Sequence, residues 1–247
     1  MNPVDVLRRL ARRAIPLEAR KSIANARRTA RDRVRGISFG SDRGGGEWPV
    51  RVELCQRVMP SPVLEAKLAN LRLGASCLDG SVLEPGGRWS FWHRVGRPSS
   101  GRGFAAGRNL VDGRLVKQLG GGLCQLSSLL YHLALLGGVE VDERHAHSLD
   151  IYREEDRFTP LGADATVVWG VKDLRLRNPH PFAVSIACRV EGTRLVGELR
   201  GEGELPWRAV DFVCNPAGAG RVRVWTVVDG ARVRETEYEQ RPGLALA

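Results

Sequence analysis

The sequence predicts an α+β fold, in which early helices pack on a mostly antiparallel β-sheet behind a basic helical N-terminal extension. Three observations predict this class: apolar residues recur at helical spacing up to residue 136, strand-like runs follow from residue 166, and turn residues separate those runs. With 247 residues, of which 43% are hydrophobic and 27% charged, the chain can bury a sizeable core.

Composition divides the chain into three parts. Residues 1–48 form a basic extension and linker, residues 49–205 the main domain, and residues 206–247 a C-terminal β-hairpin appendage. Residues 1–50 carry 12 Lys/Arg and 5 Asp/Glu, which accounts for +7 of the overall +10. A basic end of this kind attracts polyanions.

The N-terminal segment has an amphipathic helical pattern. The apolar positions that recur between its arginines are Val6, Leu7, Leu10, Ala14 and Leu17. Residues 1–35 are therefore compatible with an acidic membrane surface, with packing on the main domain or with a solvated leader, whereas nucleic acid is not the expected partner. Because neither a secretory signal nor an apolar run of about 18 residues is visible, we expect a cytoplasmic location or a peripheral one on the inner face of the membrane.

The five cysteines are widely spaced and include no CxxC pair. This odd set argues against a disulfide framework and a zinc site, and it favours a reducing compartment. Four of them lie in apolar or mixed surroundings and are expected to be small core residues: Cys55, Cys77, Cys188 and Cys214. We expect no metal and no cofactor.

The first helix of the main domain is predicted over residues 62–78. Ser61 would cap this helix, and Pro62 would occupy its first position. Its apolar stripe consists of Leu64, Leu68, Leu71, Ala75 and Leu78. The aromatic residues at 89–92 follow in a strand-like run.

A hairpin about Asp112-Gly113 is predicted for residues 109–116. The loop Gly120-Gly121-Gly122 comes next and leads into a helix that runs to about residue 136 and ends at Gly137-Gly138. Further strands are predicted over residues 166–169, 174–177, 183–190, 193–199, 221–228 and 231–238.

Cys124 is the candidate nucleophile, because three glycines lead into a helix that begins beside it. Unpaired N–H groups and the positive end of the helix dipole favour a thiolate there. A cysteine nucleophile also needs a base and a group that orients the base. His145 and His147 would point to the same face of an extended segment, so either could reach Cys124, and Asp164 could hold the imidazole.

The residues around the nucleophile are candidates for substrate binding. A tight turn before a helix needs only one glycine, whereas three glycines let the backbone approach a ligand closely. The N–H groups of these glycines and of Cys124 could therefore bind an oxyanion. Gln125 could donate to a substrate carbonyl or cap its own helix. The full candidate set is Gly120, Gly121, Gly122, Gln125, Arg144 and His145.

Several motifs taken together resemble the VanW family. They are Asn70, the Gly80…Pro85-Gly86 turn with Trp89-Ser90-Phe91, the run from the glycine loop to Tyr131, Arg144-His145-Ala146-His147-Ser148, and the segments at 162–167 and 173–178. The resemblance covers residues 50–200, and chance agreement across these motifs in order is implausible. The family is named from a vancomycin-resistance gene cluster, and some VanW-domain proteins are associated with peptidoglycan cross-linking as cysteine L,D-transpeptidases.

This resemblance implies roles for three residues. Cys124 would be the acylated nucleophile, His147 the base and Asp164 the group that orients it, since His147 falls on the family's Arg-x-x-His-Ser pattern. The charged run at 153–157 departs from the family by making the loop between the histidine and aspartate motifs longer and more acidic. The expected substrate is a peptidoglycan-type peptide or another small acyl compound.

Three functions follow as alternatives from the sequence. The leading one is a thiol acyl-transfer enzyme, transpeptidase-like or amidase-like, that acts on a peptidoglycan-type peptide. The rival is a non-catalytic protein that binds cell-wall precursor or glycopeptide, with Cys124 merely packed. The third is an interaction protein that docks on acidic membrane through residues 1–35.

Overall fold

The structure is a computed structural model that describes residues 15–40, 44, 47–111 and 114–241. It confirms the predicted α+β class, with antiparallel pairing in nearly every sheet contact. The helices of this part of the chain are α1 (Leu17–Val34), α2 (Leu64–Leu78), α3 (Phe91–Val95) and α4 (Leu123–Leu136).

The strands lie mostly in the second half of the chain. They are β1 (Val50–Arg57), β2 (Ser81–Leu83), β3 (Arg88–Ser90), β4 (Ala106–Val111), β5 (Arg114–Leu119), β6 (Glu140–Glu143), β7 (Leu149–Asp150), β8 (Arg175–Arg177), β9 (Val184–Glu191), β10 (Arg194–Gly201), β11 (Val210–Pro216), β12 (Arg221–Val228) and β13 (Ala231–Gln240).

The main core lies between one antiparallel sheet and two helices. The sheet has the strand order β1-β10-β9-β2, and α2 packs on β9 while α4 packs on β1 and β10. Leu126, Leu129 and Leu133 of α4 are fully buried in this core. Gly197 of β10 lies directly beneath the helix, where a Cβ atom would come within 2.8 Å of Leu129 and 2.7 Å of Leu133. The core therefore fixes α4, and with it the start of that helix.

A second sheet borders the segment that carries the histidine and aspartate motifs. Its strand order is β11-β12-β13-β7, with β7 parallel to β13. Its small core is formed by Val222, Val224 and Tyr238, and Ala146 and Leu161 pack against it. The remaining pairings are the sheet β3-β8-β6 and the hairpin β4-β5.

Helix α1 rests on the domain through ion pairs and has no buried residue. Arg28 contacts Glu143 at 2.6 Å, and Asp32 pairs with both terminal nitrogens of Arg175 at 2.9 and 2.7 Å. The apolar positions from Val6 to Ala14 lie outside the described residues. Within the described part of the chain, no helix combines the length and apolarity that crossing a membrane requires.

Three local predictions are wrong. Helix α2 begins at Leu64, and no side chain caps it, so Ser61 is not its cap. The run at 89–92 changes from strand to helix because the Ser90 hydroxyl accepts the N–H of His93 at 3.1 Å. Residues 166–169 form no strand but a single bridge from Val168 to Lys172, because the Thr166 N–H donates instead to the carbonyl of His145 at 2.7 Å.

Other predictions are confirmed. The hairpin strands pair from Ala106 with Leu119 to Val111 with Arg114, although the turn at 112–113 lies outside the described residues. Helix α4 ends at Leu136 before the two glycines, and the strands expected near 174–177, 183–190, 193–199, 221–228 and 231–238 are present as β8, β9, β10, β12 and β13.

Candidate active site

Cys124 is the second residue of α4, at the end of a glycine loop. Gly122 precedes the helix with a φ of 100°, a conformation that side chains disfavour, and a Cβ atom on it would lie 2.7 Å from Cγ of Lys67. The chain can therefore turn sharply into the helix only with glycine at this position. Cys124 itself is half-buried.

The glycine loop is held from below by Asn70, a fully buried residue of α2. Its amide nitrogen donates to the carbonyls of Ala105 and Gly121 at 3.0 and 2.9 Å, and its oxygen accepts the N–H of Ala105 at 2.8 Å. Gly107 of β4 packs against the same loop, with room for no Cβ atom because Cα of Gly121 would lie 2.9 Å away. These contacts fix the loop relative to the helix.

Replacing Asn70 with alanine should therefore free the glycine loop that precedes Cys124, so that the start of α4 stabilises the Cys124 thiolate less. The change leaves the Gly121 carbonyl and the Ala105 N–H without a partner, and each such loss costs about 1–3 kcal/mol, whereas the Ala105 carbonyl still accepts the Gly120 N–H. We expect a lower midpoint in urea unfolding and slower alkylation of Cys124. Ser76→Ala, on the exposed side of the same helix, is the matched control. Equal urea midpoints and equal alkylation rates for the two variants would contradict the claim that Asn70 fixes the loop.

The N–H groups of the loop are not equivalent. The Gly120 N–H donates to the Ala105 carbonyl at 3.1 Å, so it is already engaged. By contrast, the N–H groups of Gly121, Gly122 and Cys124 donate to no acceptor within the described part of the chain. Three of the four expected oxyanion donors thus have no acceptor among the described residues.

The thiol of Cys124 donates to the Val167 carbonyl at 3.7 Å, and His147 lies close enough for each of the two side chains to stabilise charge on the other. Burial opposes ionisation of the thiol, but the hydrogen bond and positive charge of His147 outweigh it and lower the Cys124 pKa below its ordinary 9.0. Burial likewise opposes the imidazolium, and hydrogen bonds to Asp164 and Cys124 raise the pKa of His147 to about 10. The arrangement favours a thiolate–imidazolium pair.

Asp164 fixes the orientation of the imidazole. Its Oδ2 accepts the backbone N–H of His147 at 2.7 Å and lies 2.7 Å from Nδ1 of the same residue. Ring and backbone are thereby held by one carboxylate oxygen, and Nε2 is left for Cys124.

The second oxygen of Asp164 is also fully engaged. Oδ1 accepts the Tyr238 hydroxyl at 2.5 Å and Nη2 of Arg144 at 2.8 Å. Burial opposes the charge, but the hydrogen bond and charge of His147, followed by the charge of Arg144, hold the pKa of Asp164 well below its usual range. The carboxylate is therefore ionised at neutral pH.

Two serines of α4 join the nucleophile to the aspartate. The Ser128 hydroxyl donates to the Cys124 carbonyl at 2.6 Å and accepts the Ala165 N–H at 2.9 Å, while the Ser127 hydroxyl donates to the Ala165 carbonyl at 2.6 Å. Both serines are fully buried. Two adjacent serines in an apolar helix, one turn after the cysteine, are the signal by which the sequence could have identified this contact.

Other predicted site residues lie elsewhere. The His145 ring contacts Glu143 at 2.8 Å, and hydrogen bonds from His145 and Arg28 overcome burial to lower the Glu143 pKa to about 2. Gln125 is buried, and its amide nitrogen donates to the Arg57 carbonyl at 2.9 Å, so its side chain does not cap its own helix. Arg144 lies behind Asp164 with a side chain that is 2% exposed. Of the candidate triad and its alternatives, the structure brings together Cys124, His147 and Asp164.

Two surface cavities flank helix α1, and Cys124 lines neither of them. The described residues contain no cluster of three or more His, Cys, Asp or Glu side chains suited to a metal ion. The groups that the candidate site offers are the half-buried thiol, its imidazole and the N–H groups of the loop.

Comparison with known proteins gives three similarities. A family model described as "VanW like protein" matches residues 66–200, which is more than half of the chain. The vancomycin B-type resistance protein VanW of Enterococcus faecalis is 30% identical over 135 residues, covering 55% of this chain and 49% of that protein. The uncharacterized protein YoaR of Bacillus subtilis is 30% identical over 127 residues, covering 51% and 40%.

The chain spans less than half the length of either relative. No solved structure matches it significantly.

Proposed function

This chain belongs to the VanW-like family, which is related to vancomycin resistance, and from that premise we propose that it is a cysteine-dependent acyl-transfer enzyme. The proposed activity is of the transpeptidase or amidase type, on peptidoglycan-type peptides. The observation that carries the proposal is that Asp164 holds the His147 ring at 2.7 Å beside Cys124, whose pKa His147 lowers.

The reaction begins with the Cys124 thiolate attacking a carbonyl carbon of the peptide. A carbon–sulfur bond forms, the carbonyl oxygen takes up the negative charge, and the His147 imidazolium gives its proton to the departing amine as the carbon–nitrogen bond breaks. A thioester on Cys124 remains, with neutral His147. An acceptor amine or water then loses a proton to His147, attacks the thioester and releases the thiolate.

The oxyanion of each tetrahedral intermediate needs donors close to the sulfur. The N–H groups of Gly121, Gly122 and Cys124 are suited to this role, because they have no other acceptor among the described residues and two of them lie at the start of a helix. The N–H of Gly120 is not a donor to the oxyanion in this proposal, because it donates to the Ala105 carbonyl.

Family membership supports the substrate class. One relative is named as a vancomycin B-type resistance protein, and vancomycin resistance concerns cell-wall peptides. A peptide stem of the peptidoglycan type is therefore the first substrate to test, with both water and a peptide amine as acceptors.

The experiment compares the wild-type chain with Cys124→Ala and Cys124→Ser on such a stem peptide. We expect product in the wild type only, together with a mass increase on the Cys124 peptide equal to that of the acyl fragment. Cys214→Ser is the matched control, because Cys214 is an exposed free cysteine that is not part of the candidate triad. Full turnover by Cys124→Ala would exclude the thiol mechanism.

The same experiment tests the rival binding function. A stem peptide that binds the wild type and Cys124→Ala equally, with neither turnover nor adduct on any peptide tested, would favour the non-catalytic protein. A fast-reacting Cys124 without turnover would instead point to a different acyl substrate.

A further inference from the structure

We propose that strand β13, which lies outside the matched family region, completes the active site by holding Asp164 against His147. Tyr238 acts as a positioning residue through its contact with Asp164, and Thr236 through Arg144. This inference rests on the proposed function, since it concerns the same catalytic pair.

The contact between β13 and Asp164 is direct and sealed from water. The Tyr238 hydroxyl donates to Oδ1 of Asp164 at 2.5 Å, and Tyr238 is 1% exposed. Arg144 closes a triangle, because its Nη2 reaches Oδ1 of Asp164 at 2.8 Å and the Tyr238 oxygen at 3.1 Å. One oxygen of the carboxylate is thus fixed by two donors, while the other serves His147.

Thr236, on the same strand, holds the guanidinium of Arg144. Its hydroxyl accepts Nη1 of Arg144 at 2.9 Å, while Nε of Arg144 donates to the Asp164 carbonyl at 2.7 Å. Residues 236 and 238 are two apart on one strand, so they face the same side of the sheet. Strand β13 therefore fixes the guanidinium as well as the carboxylate.

The sheet itself is tied to the catalytic segment. β13 pairs with β7 immediately after His147, through Glu239 with Leu149 and Gln240 with Asp150. Val224 of the neighbouring strand packs on Gly162, where a Cβ atom would lie 2.7 Å from its Cγ1. The position of Tyr238 is therefore set by contacts with the backbone that follows His147 and with the backbone that precedes Asp164.

The chemistry predicts what removing the hydroxyl would do. Without it, Arg144 is the remaining donor on Oδ1, so the carboxylate is drawn towards the guanidinium and its bond to Nδ1 of His147 weakens. A less stabilised imidazolium stabilises the Cys124 thiolate less. The midpoint of thiolate formation at Cys124 should then move upwards in pH.

The test is the pH dependence of iodoacetamide alkylation, followed on the Cys124 peptide by mass spectrometry in the full chain. For Tyr238→Phe we expect the midpoint of the profile to move up by at least about half a pKa unit, which lowers the rate about threefold at any pH below the midpoint. Tyr131→Phe is the matched control, because this fully buried tyrosine of α4 has a hydroxyl with no hydrogen-bond partner among the described residues. It should leave the profile unchanged.

A second variant keeps the inference testable if Tyr238→Phe does not fold. Thr236→Val removes the acceptor of Arg144 at a half-buried position and should shift the profile in the same direction by less. The deciding variant is Tyr238→Phe if it folds, and Thr236→Val if it does not. If that variant has the wild-type profile while His147→Gln does not, β13 has no positioning role and the proposed function stands. If the wild-type midpoint itself lies at 9.0 or above, the proposed function fails instead.

Discussion

His147→Gln should slow alkylation of Cys124 near neutral pH by at least about tenfold, since each pKa unit changes the thiolate fraction about tenfold in this range. The physical reason is that the imidazolium is what lowers the Cys124 pKa. Once it is removed, burial remains, and burial raises the pKa of a thiol. The measurement is the alkylation rate of the Cys124 peptide as a function of pH.

His145→Gln is the matched control for this prediction. His145 lies two residues away, and its ring contacts Glu143 instead of Cys124. The control should keep the wild-type midpoint below 9.0. Identical profiles for the two glutamine variants would mean that His147 does not activate the thiol.

Asp164→Asn should be the most destabilising change in the site. Arg144, with a side chain that is 2% exposed, would lose the carboxylate that balances its charge. Removing one partner of a buried ion pair typically costs about 3–5 kcal/mol. Urea unfolding near neutral pH measures this loss directly.

At acidic pH, the difference in the free energy of unfolding between wild type and Asp164→Asn should become smaller. The folded-state pKa of Asp164 is depressed below the ordinary 3.8, so its contribution to stability is present above that pH and is lost as the pH falls through the lowered value. Asp142→Asn is the control, because Asp142 pairs with Arg88 at the surface and the loss should stay within about 1 kcal/mol. Equal losses for the two variants would contradict the buried pair.

The sequence alone predicted the candidate nucleophile and its two candidate partners because each lies in a local pattern. Three glycines before a helical stripe identify Cys124, and the motif resemblance separates His147 from His145. The structure supplies the physical distinction between the histidines: the backbone N–H of His147 binds Asp164, whereas the carbonyl of His145 binds Thr166.

The residues that hold the candidate triad in place could not be predicted from local sequence patterns. Tyr238 reaches Asp164 across 74 residues of sequence, and Asn70 reaches Gly121 across 51. Arg144 was a candidate for substrate binding, and the structure places its side chain, which is 2% exposed, against the carboxylate of Asp164. Likewise, residues 166–169 have strand composition, yet the N–H of Thr166 is taken by His145.

Titration of the His147 ring by NMR tests the central claim most directly. The charged pair predicts that the imidazole stays protonated through neutral pH, with a pKa of about 10 in the wild-type chain. Cys124→Ser should lower this value, because the negative charge of the thiolate is lost. A wild-type His147 that deprotonates at or below pH 6.5, its ordinary value, would contradict the account.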